Sequence, residues 1–325
     1  HRKPLLLPRP MGIHDVHLVF SDGTGGYTGR RIKVLVSADE DRIPDDWTVT
    51  TLGHPPAASV ARLTGDGRLA FSAVERRDRK RNLDATFLFR TLDEHTFDLV
   101  LDLSAPEGTR GDADASAASE APPDLGLMVR GGLDDHWRFA SIERAGGGIR
   151  TRFRRGESRW GVSRRRPDDQ LATAAGMLRL ALRGGRVSMY VEGEDGAWEL
   201  VDSRKTDLRR AFAGAVYGGG GHAAAQLRTP ADALPAVNLD GDRRGVLRAP
   251  YEVVIDAPPN AAAVRYTLNG GVPLATSPTY SDPFKIKAPG RYELRMRAFS
   301  GNGEQGGPTV VAVLNIEKAK EKEDK

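Results

Sequence analysis

Arginines alternate with core-type residues along several predicted strands in the middle of the chain. In the run Ile149-Arg150-Thr151-Arg152-Phe153-Arg154, three guanidinium groups share one face, because successive side chains of a strand point to opposite faces. A planar guanidinium pairs well with carboxylate oxygens, and large flat side chains could stack on a sugar ring. The pattern predicts a basic groove that binds a polysaccharide with uronate or sulfate groups. The candidate ligand-binding residues are Arg130, Trp137, Arg138, Arg150, Arg152, Arg154, Trp160 and Tyr190.

The same pattern has a second interpretation. Arginine stems also cover apolar surface on an ordinary solvated sheet face, and each aromatic residue could belong to a core or its edge. Arg179 and Arg183 alternate in the same way on a later strand, while Trp47 and Trp198 fit the core or its rim. Both interpretations remain open at the level of sequence.

Carboxylates offer a weaker case for chemistry. Retaining glycoside hydrolysis needs two carboxyl groups about 5–5.5 Å apart, and the densest acidic run is Glu192-Gly193-Glu194-Asp195-Gly196. Its Asp-Gly pair is typical of a hairpin turn, so no catalytic residue is assigned. A divergent hydrolase or lyase remains the alternative, and it predicts that Asp98, Glu143 and Glu192 converge in one groove.

Metal and cofactor sites are not predicted. The chain contains no cysteine. Residues 238–242 resemble the start of a calcium loop, but Ala249 occupies the position of the bidentate glutamate. His14 and His17 have odd spacing, so they point to opposite faces of a strand. No nucleophile motif of the G-x-S-x-G type occurs.

Composition excludes several classes of protein. The chain has 325 residues, 39% of them hydrophobic and 6% aromatic, with a formal net charge of +4. No apolar run reaches the roughly 20 residues of a membrane helix. Basic residues are scattered rather than clustered with aromatics, which argues against nucleic-acid binding. The start, His1-Arg2-Lys3-Pro4, lacks Met and the apolar stretch of a signal peptide, so we expect a piece of a longer chain.

The organisation is all-β and multi-domain. Period-two alternation recurs with Gly, Pro and Asp between the runs, which indicates packed sandwiches. The expected segments, in order, are an N-terminal β-hairpin at 1–38 left over from an upstream domain, a sandwich at 40–228 with an inserted loop at 105–123, a linker at 229–245, a small sandwich at 246–317 and a charged tail at 318–325.

Two parts of the chain resemble carbohydrate-associated modules. The strand from Met11 to Phe20 resembles the end of family-six carbohydrate-binding modules. The middle segment resembles concanavalin A-like (laminin-G-like) jelly rolls. The resemblance rests on the order of Leu125-Gly126-Leu127-Met128-Val129-Arg130, a basic strand, Leu178-Arg179-Leu180-Ala181-Leu182-Arg183-Gly184-Gly185, and the later strands that end at Ala213-Gly214-Ala215-Val216-Tyr217.

The C-terminal segment carries the clearest motif. It reads Ala263-Val264-Arg265-Tyr266-Thr267-Leu268-Asn269-Gly270-Gly271-Val272-Pro273, then Ser277-Pro278-Thr279-Tyr280-Ser281-Asp282-Pro283-Phe284, then Tyr292-Glu293-Leu294-Arg295-Met296-Arg297-Ala298. On these residues the segment resembles the chitobiase/β-hexosaminidase C-terminal module, with Asn269 in place of the usual Asp. The resemblance implies an immunoglobulin- or fibronectin-like sandwich. It also implies a non-catalytic accessory region of a larger bacterial protein, secreted or on the cell surface, whose partners are a polysaccharide and the other domains of its parent. A purely structural adhesion or scaffold segment is the third hypothesis.

Overall fold

The computed structural model describes most of the chain between residues 12 and 319. The described residues are 12–21, 27–36, 43–44, 46–52, 59–63, 65, 67–73, 85–92, 96–104, 124–133, 139–145, 148–154, 164–165, 176–206, 208, 211–218, 221–230, 234, 236–238, 247–301 and 306–319.

Every regular element in this described part is a β-strand, which confirms the predicted all-β class. None of these residues forms a helix suited to crossing a membrane. The strands, in chain order, are β1 Gly12–Ser21, β2 Tyr27–Val36, β3 Trp47–Leu52, β4 Ser59–Leu63, β5 Arg68–Ala73, β6 Ala85–Leu92, β7 Phe97–Asp102, β8 Leu125–Arg130, β9 Phe139–Ala145, β10 Gly148–Arg154, β11 Arg164–Arg165, β12 Met177–Arg183, β13 Arg186–Glu192, β14 Trp198–Lys205, β15 Ala211–Tyr217, β16 Gly221–Arg228, β17 Ala236–Asn238, β18 Leu247–Arg248, β19 Tyr251–Asp256, β20 Ala263–Thr267, β21 Phe284–Ile286, β22 Gly290–Phe299 and β23 Val310–Glu317.

The predicted N-terminal hairpin is present. β1 and β2 pair with each other in an antiparallel sheet of their own, with a register that runs from Gly12 opposite Val36 to Ser21 opposite Tyr27. The interpretation of this hairpin as the remnant of an upstream module stays a prediction.

The middle segment is a sandwich of two sheets. The front sheet has the order β11-β10-β9-β8-β15-β6-β3 among the described strands. The long sheet has the order β20-β22-β23-β14-β13-β12-β7-β16-β5-β4, with β18 beside β23. Only its β14-to-β4 part belongs to the middle segment. Its inward side chains and those of the front sheet form the main core.

Alternation of side chains builds this core. On β12, Leu178, Leu180 and Leu182 face the front sheet, and Met189 of β13 lies opposite Leu180. All four side chains are buried. Burial of one such side chain contributes about 1.5–3 kcal/mol, so the apolar positions of the period-two pattern determine which face of each strand turns inward.

The long sheet continues from the middle segment into the C-terminal segment. β14 pairs in parallel with β23, with Trp198 opposite Val310 and Glu199 opposite Val311. The Trp198 backbone N–H donates to the Thr309 carbonyl oxygen at 2.8 Å. The two predicted sandwiches therefore share one continuous hydrogen-bonded sheet.

A second apolar cluster, here called the junction core, lies between the two segments. A small sheet of order β17-β19-β21 supplies part of it. The outward face of the long sheet supplies another part, through Val100, Ala181, Tyr190, Trp198 and Leu200. The C-terminal strands supply the rest, including Val253, Ile255, Leu294, Met296, Val310 and Leu314.

Part of the predicted linker belongs to this packed region. Ala236–Asn238 forms β17 and pairs with β19 in the small sheet. Leu234, just before it, is buried in the junction core. The apolar residues around β17 are too few to show a strand periodicity. The prediction of a linker therefore rested on composition alone, whereas the structure has an edge strand there.

Candidate functional site

The arginine face of the front sheet starts on β10. Arg150 and Arg152 point outward because Ile149 and Thr151, which alternate with them, are buried. Their side chains are 21% and 18% exposed. Arg154 follows at the next position of the same alternation, but its side chain lies outside the described residues. The sequence prediction that these arginines share one strand face agrees with this backbone arrangement.

Each of the two described guanidinium groups is positioned by a carboxylate. Arg150 Nη1 lies 3.4 Å from Asp124 Oδ2, and Arg152 Nη2 lies 3.3 Å from Glu143 Oε2. The Ser141 hydroxyl donates to Glu143 Oε1 at 2.7 Å, which orients that buried carboxylate. A guanidinium has five N–H donors in a fixed fork, so a positioned and partly exposed arginine is suited to bind a second anion.

Further arginines lie at neighbouring backbone positions. In the register of β10 with β11, Arg165 is opposite Arg150 and Arg164 is opposite Thr151. Arg154, Arg164 and Arg165 are therefore neighbours of Arg150 and Arg152 along the backbone.

Arg130 belongs to the same face but not to its surface. The register of β8 with β9 places it opposite Phe139, and its guanidinium carbon lies 5.7 Å from the centre of that ring. Its Nε donates to the Gly132 carbonyl oxygen at 3.0 Å, and the residue is fully buried. The prediction that Arg130 lies in an exposed groove is therefore wrong. Its side chain packs against an aromatic ring of the neighbouring strand, and the alternation along a single strand does not reveal such a contact.

Tyr190 is likewise buried, and it lies on the other sheet. It faces outward from the long sheet into the junction core, so it cannot present a stacking surface to a ligand. Burial raises the pKa of its phenol to about 12. The prediction of an exposed tyrosine failed because a second layer covers the outward side of this sheet.

Arg179 and Arg183 lie beside Tyr190 and not with the β10 arginines. Arg179 is buried and binds Asp98 through two hydrogen bonds, Nε to Oδ1 at 2.8 Å and Nη2 to Oδ2 at 2.6 Å. Arg183 donates to the carbonyl oxygen of Leu234. The two groups of arginines thus occupy opposite sides of the middle sandwich, and Arg179 and Arg183 lie at the margin of the junction core.

Three predicted site residues lie outside the described residues. They are Trp137, Arg138 and Trp160. Their contribution to the arginine face stays a prediction.

The structure also shows an apolar half of this face that sequence reasoning did not select. Phe87 and Phe89 of β6 stack with ring centroids 5.0 Å apart, and Phe212 of β15 meets Phe89 edge-to-face at 5.3 Å. Leu52, Met128, Phe139 and Val216 complete this cluster. The sequence signal for this cluster is the Phe-x-Phe pattern of β6, in which both phenylalanines point to the same face. From one strand alone, this pattern does not show whether that face is the outward or the inward one.

The carboxylates proposed for the alternative enzyme do not converge. Glu143 lies on the front sheet, whereas Asp98 and Glu192 lie on the long sheet. Asp98 and Glu192 are two strands and four residues apart in the register, or roughly 16 Å at ordinary strand spacings. Hydrolysis by paired carboxylates requires about 5–9.5 Å. Among the described residues, no group of three or more His, Cys, Asp or Glu could hold a metal ion.

The acidic run at 192–196 has a structural role. It forms the tight turn between β13 and β14, with Gly196 at a φ of 73°. Asp195 accepts from the Ala197 backbone N–H at 3.0 Å and from Arg295 Nη1 of β22 at 2.7 Å. Those hydrogen bonds lower the pKa of the Asp195 carboxyl. The run thus links the two segments and does not form a catalytic pair.

Comparison with known proteins finds a family match for the C-terminal segment. Residues 243–310 match the family model of the chitobiase/beta-hexosaminidase C-terminal domain, which agrees with the motif around Tyr266 and Pro273. No curated protein sequence matches the chain.

Two solved structures share a general likeness. One is a functionally unknown protein from Saccharomyces cerevisiae, with a TM-score of 0.36 and 18% identity over 57% of this chain and 97% of that one. The other is arcelin-5, a lectin-like defense protein from Phaseolus vulgaris, with a TM-score of 0.30 and 9% identity over 59% of this chain and 96% of that one. These scores are too low to identify a ligand or a fold family.

Proposed function

We propose that this chain is a non-catalytic accessory region of a larger extracellular carbohydrate-active protein, in which the middle sandwich binds an acidic polysaccharide. The observation that carries the proposal is the pair Arg150 and Arg152, aligned on one face of β10, partly exposed and each positioned by a carboxylate. The family of the C-terminal segment supports the carbohydrate context. On this proposal the middle sandwich is a concanavalin A-like jelly roll and the chain is bacterial and secreted.

The spacing of the arginines suits a linear polyanion. Same-face neighbours on a strand are about 7 Å apart, so Arg150 and Arg152 could engage successive charged groups of one polymer chain. Each guanidinium offers parallel donors to a carboxylate or sulfate. Because both side chains are partly in water, such binding weakens as salt rises.

The test is affinity electrophoresis and calorimetry with alginate, pectate, heparin and a neutral β-glucan. We expect at least one acidic polymer to bind, and the Arg150→Ala/Arg152→Ala variant to bind it at least about tenfold more weakly, since hydrogen bonds to charged groups contribute about 1.5–3 kcal/mol.

A matched control removes the same charge elsewhere. Lys287 and Arg291 are exposed residues of the C-terminal segment, and the Lys287→Ala/Arg291→Ala variant should retain the affinity. If no acidic polymer binds, or if both double variants weaken binding equally, a specific arginine face is refuted.

A scaffold role is the second candidate, and the continuous long sheet favours it. The parallel pairing of β14 with β23 and the junction core join two modules into one packed body, as a spacer between other domains would need. This candidate predicts that Arg152→Ala leaves every binding property of the protein unchanged. Arg130 is unsuitable for that test because it is buried.

A further inference from the structure

A row of four side chains, three of them polar, lies across four neighbouring strands on the outward face of the long sheet. Gln226 of β16 is opposite Asp102 of β7, which is opposite Met177 of β12. Glu192 of β13 follows, because Leu178 pairs with Val191 one position along. Directly opposite residues of neighbouring strands share a face. The row is about 14 Å long at ordinary strand spacing. We call it, with Arg228 and Ser104 at its border, the polar ledge.

The first half of the ledge is held rigidly. Asp102 is buried and accepts from the Ser104 backbone N–H at 3.0 Å and from the Ser104 hydroxyl at 2.6 Å. Arg228 Nη2 donates to its other oxygen and to Gln226 Oε1, the latter at 2.8 Å. The Arg228 side chain remains 48% exposed. Two hydrogen bonds thus position a guanidinium group that is still accessible to solvent.

The second half of the ledge contains the carboxylate of Glu192. This side chain is half-buried, and it forms no hydrogen bond with another side chain among the described residues. Burial raises the pKa of its carboxyl, and the nearby Asp102 charge adds to the effect. Between Glu192 and Asp102 lies the half-buried thioether of Met177, which packs at the margin of the junction core. The ledge therefore runs along the border with the C-terminal segment.

This combination selects a ligand by its chemistry. The carboxylates of Asp102 and Glu192 repel an anion, and Arg228 beside them opposes a metal cation. A hydroxyl group both donates and accepts, so different hydroxyl groups of one ligand can donate to Glu192 and accept from Arg228. The Met177 side chain offers an apolar patch for C–H surface. Ligand sites with a few placed polar groups are common at borders between modules.

We propose that the polar ledge binds the hydroxyl groups of a neutral oligosaccharide. This site lies on the opposite sheet from Arg150 and Arg152, so it stands independently of the acidic-polymer site. A ligand that spans the row contacts Arg228 at one end and Glu192 at the other, with Met177 beneath it.

Calorimetric titration of the whole chain with neutral hexasaccharides tests the proposal. The probes are cellohexaose, laminarihexaose, maltohexaose and N-acetylated chitohexaose, each with wild type, Glu192→Ala and Glu194→Ala. Glu194 is an exposed residue of the neighbouring turn, so its variant removes the same charge outside the ledge. We expect at least one probe to bind and Glu192→Ala to weaken that binding by at least about tenfold. Glu194→Ala should leave it unchanged.

Three results would overturn the proposal. They are no binding of any probe, undiminished binding by Glu192→Ala, and equal loss in Glu192→Ala and Glu194→Ala. The last result would indicate a general effect on the fold. A thermal melt of each variant separates lost binding from lost folding. We expect Glu192→Ala to remain folded, because the Glu192 side chain makes no hydrogen bond with another side chain among the described residues.

Discussion

Replacing Asp98 with Asn tests the buried ion pair that lies beneath the C-terminal segment. Arg179 is 1% exposed, and Asp98 receives two of its N–H groups. The guanidinium carbon of Arg179 also lies 5.4 Å from the centre of the Trp198 ring in the junction core. Asp98→Asn keeps the shape of the side chain but leaves the arginine charge without its counter-charge.

The expected loss is large because the arginine is fully enclosed. Removing one partner of a buried ion pair costs about 3–5 kcal/mol, mostly the penalty of an uncompensated buried charge. Arg183 also lies 3.8 Å from Asp98, so two cations lose the same partner. We therefore expect the free energy of unfolding to fall by about 3–5 kcal/mol.

Urea unfolding followed by tryptophan fluorescence and by circular dichroism measures this change. The control is Glu194→Gln, an exposed acid-to-amide change that should stay within about 0.5 kcal/mol of wild type. Adding Arg179→Met to Asp98→Asn should restore much of the loss, since the buried charge is then gone. A loss below about 1 kcal/mol for Asp98→Asn, or no recovery in the double variant, would show that the pair is not desolvated as the structure has it.

Three further expectations follow from single contacts. Arg295→Ala removes the bridge to Asp195, whose side chain is 52% exposed, so the free energy of unfolding should fall by no more than about 1 kcal/mol at neutral pH. The pKa of the Asp195 carboxyl is lowered in the folded state. The contribution of the bridge to stability is therefore fully present above the unfolded pKa near 3.9, and it should disappear as the pH falls through the lower folded pKa. Acid unfolding curves of wild type and variant measure this loss. The Tyr190 phenol has its pKa raised to about 12 by burial. The free energy of unfolding should therefore fall as the pH rises from the unfolded pKa of about 10 to pH 12. The Tyr190→Phe variant should lose less free energy of unfolding over that range, as measured by unfolding curves at several pH values. Gly214→Ala would place a Cβ 2.0 Å from the Leu88 carbonyl oxygen, and we expect a loss of at least about 1–3 kcal/mol in urea unfolding; an unchanged midpoint would contradict the close approach of β15 and β6.

Local pattern predicted much of the fold. Alternation along β10, β12 and β13 identified which residues face the main core, because one buried face selects one register. The Tyr266-Thr267-Leu268-Asn269-Gly270 motif identified the C-terminal segment, and its family model agrees. The predicted linker was less reliable, since Leu234 is buried in the junction core.

The candidate site shows where such a pattern stops being informative. Arg130, Arg150 and Arg179 have the same signature, an arginine between core residues on a strand. Only Arg150 of the three is partly exposed. Arg130 packs on a cross-strand ring, and Arg179 binds a carboxylate 81 residues earlier in the chain.

The sequence by itself determined the all-β class, the inward face of strands such as β10, β12 and β13, the resemblance of the C-terminal segment to a known module and the absence of cysteine chemistry. These follow from local spacing and composition. Only the tertiary structure decided which outward faces meet water. The pairing of β14 with β23 brings the C-terminal segment over one side of the long sheet and buries Tyr190 and Arg179 there. Alternation predicts that a side chain points away from the main core, but whether that side chain is exposed depends on whether a second layer packs over it.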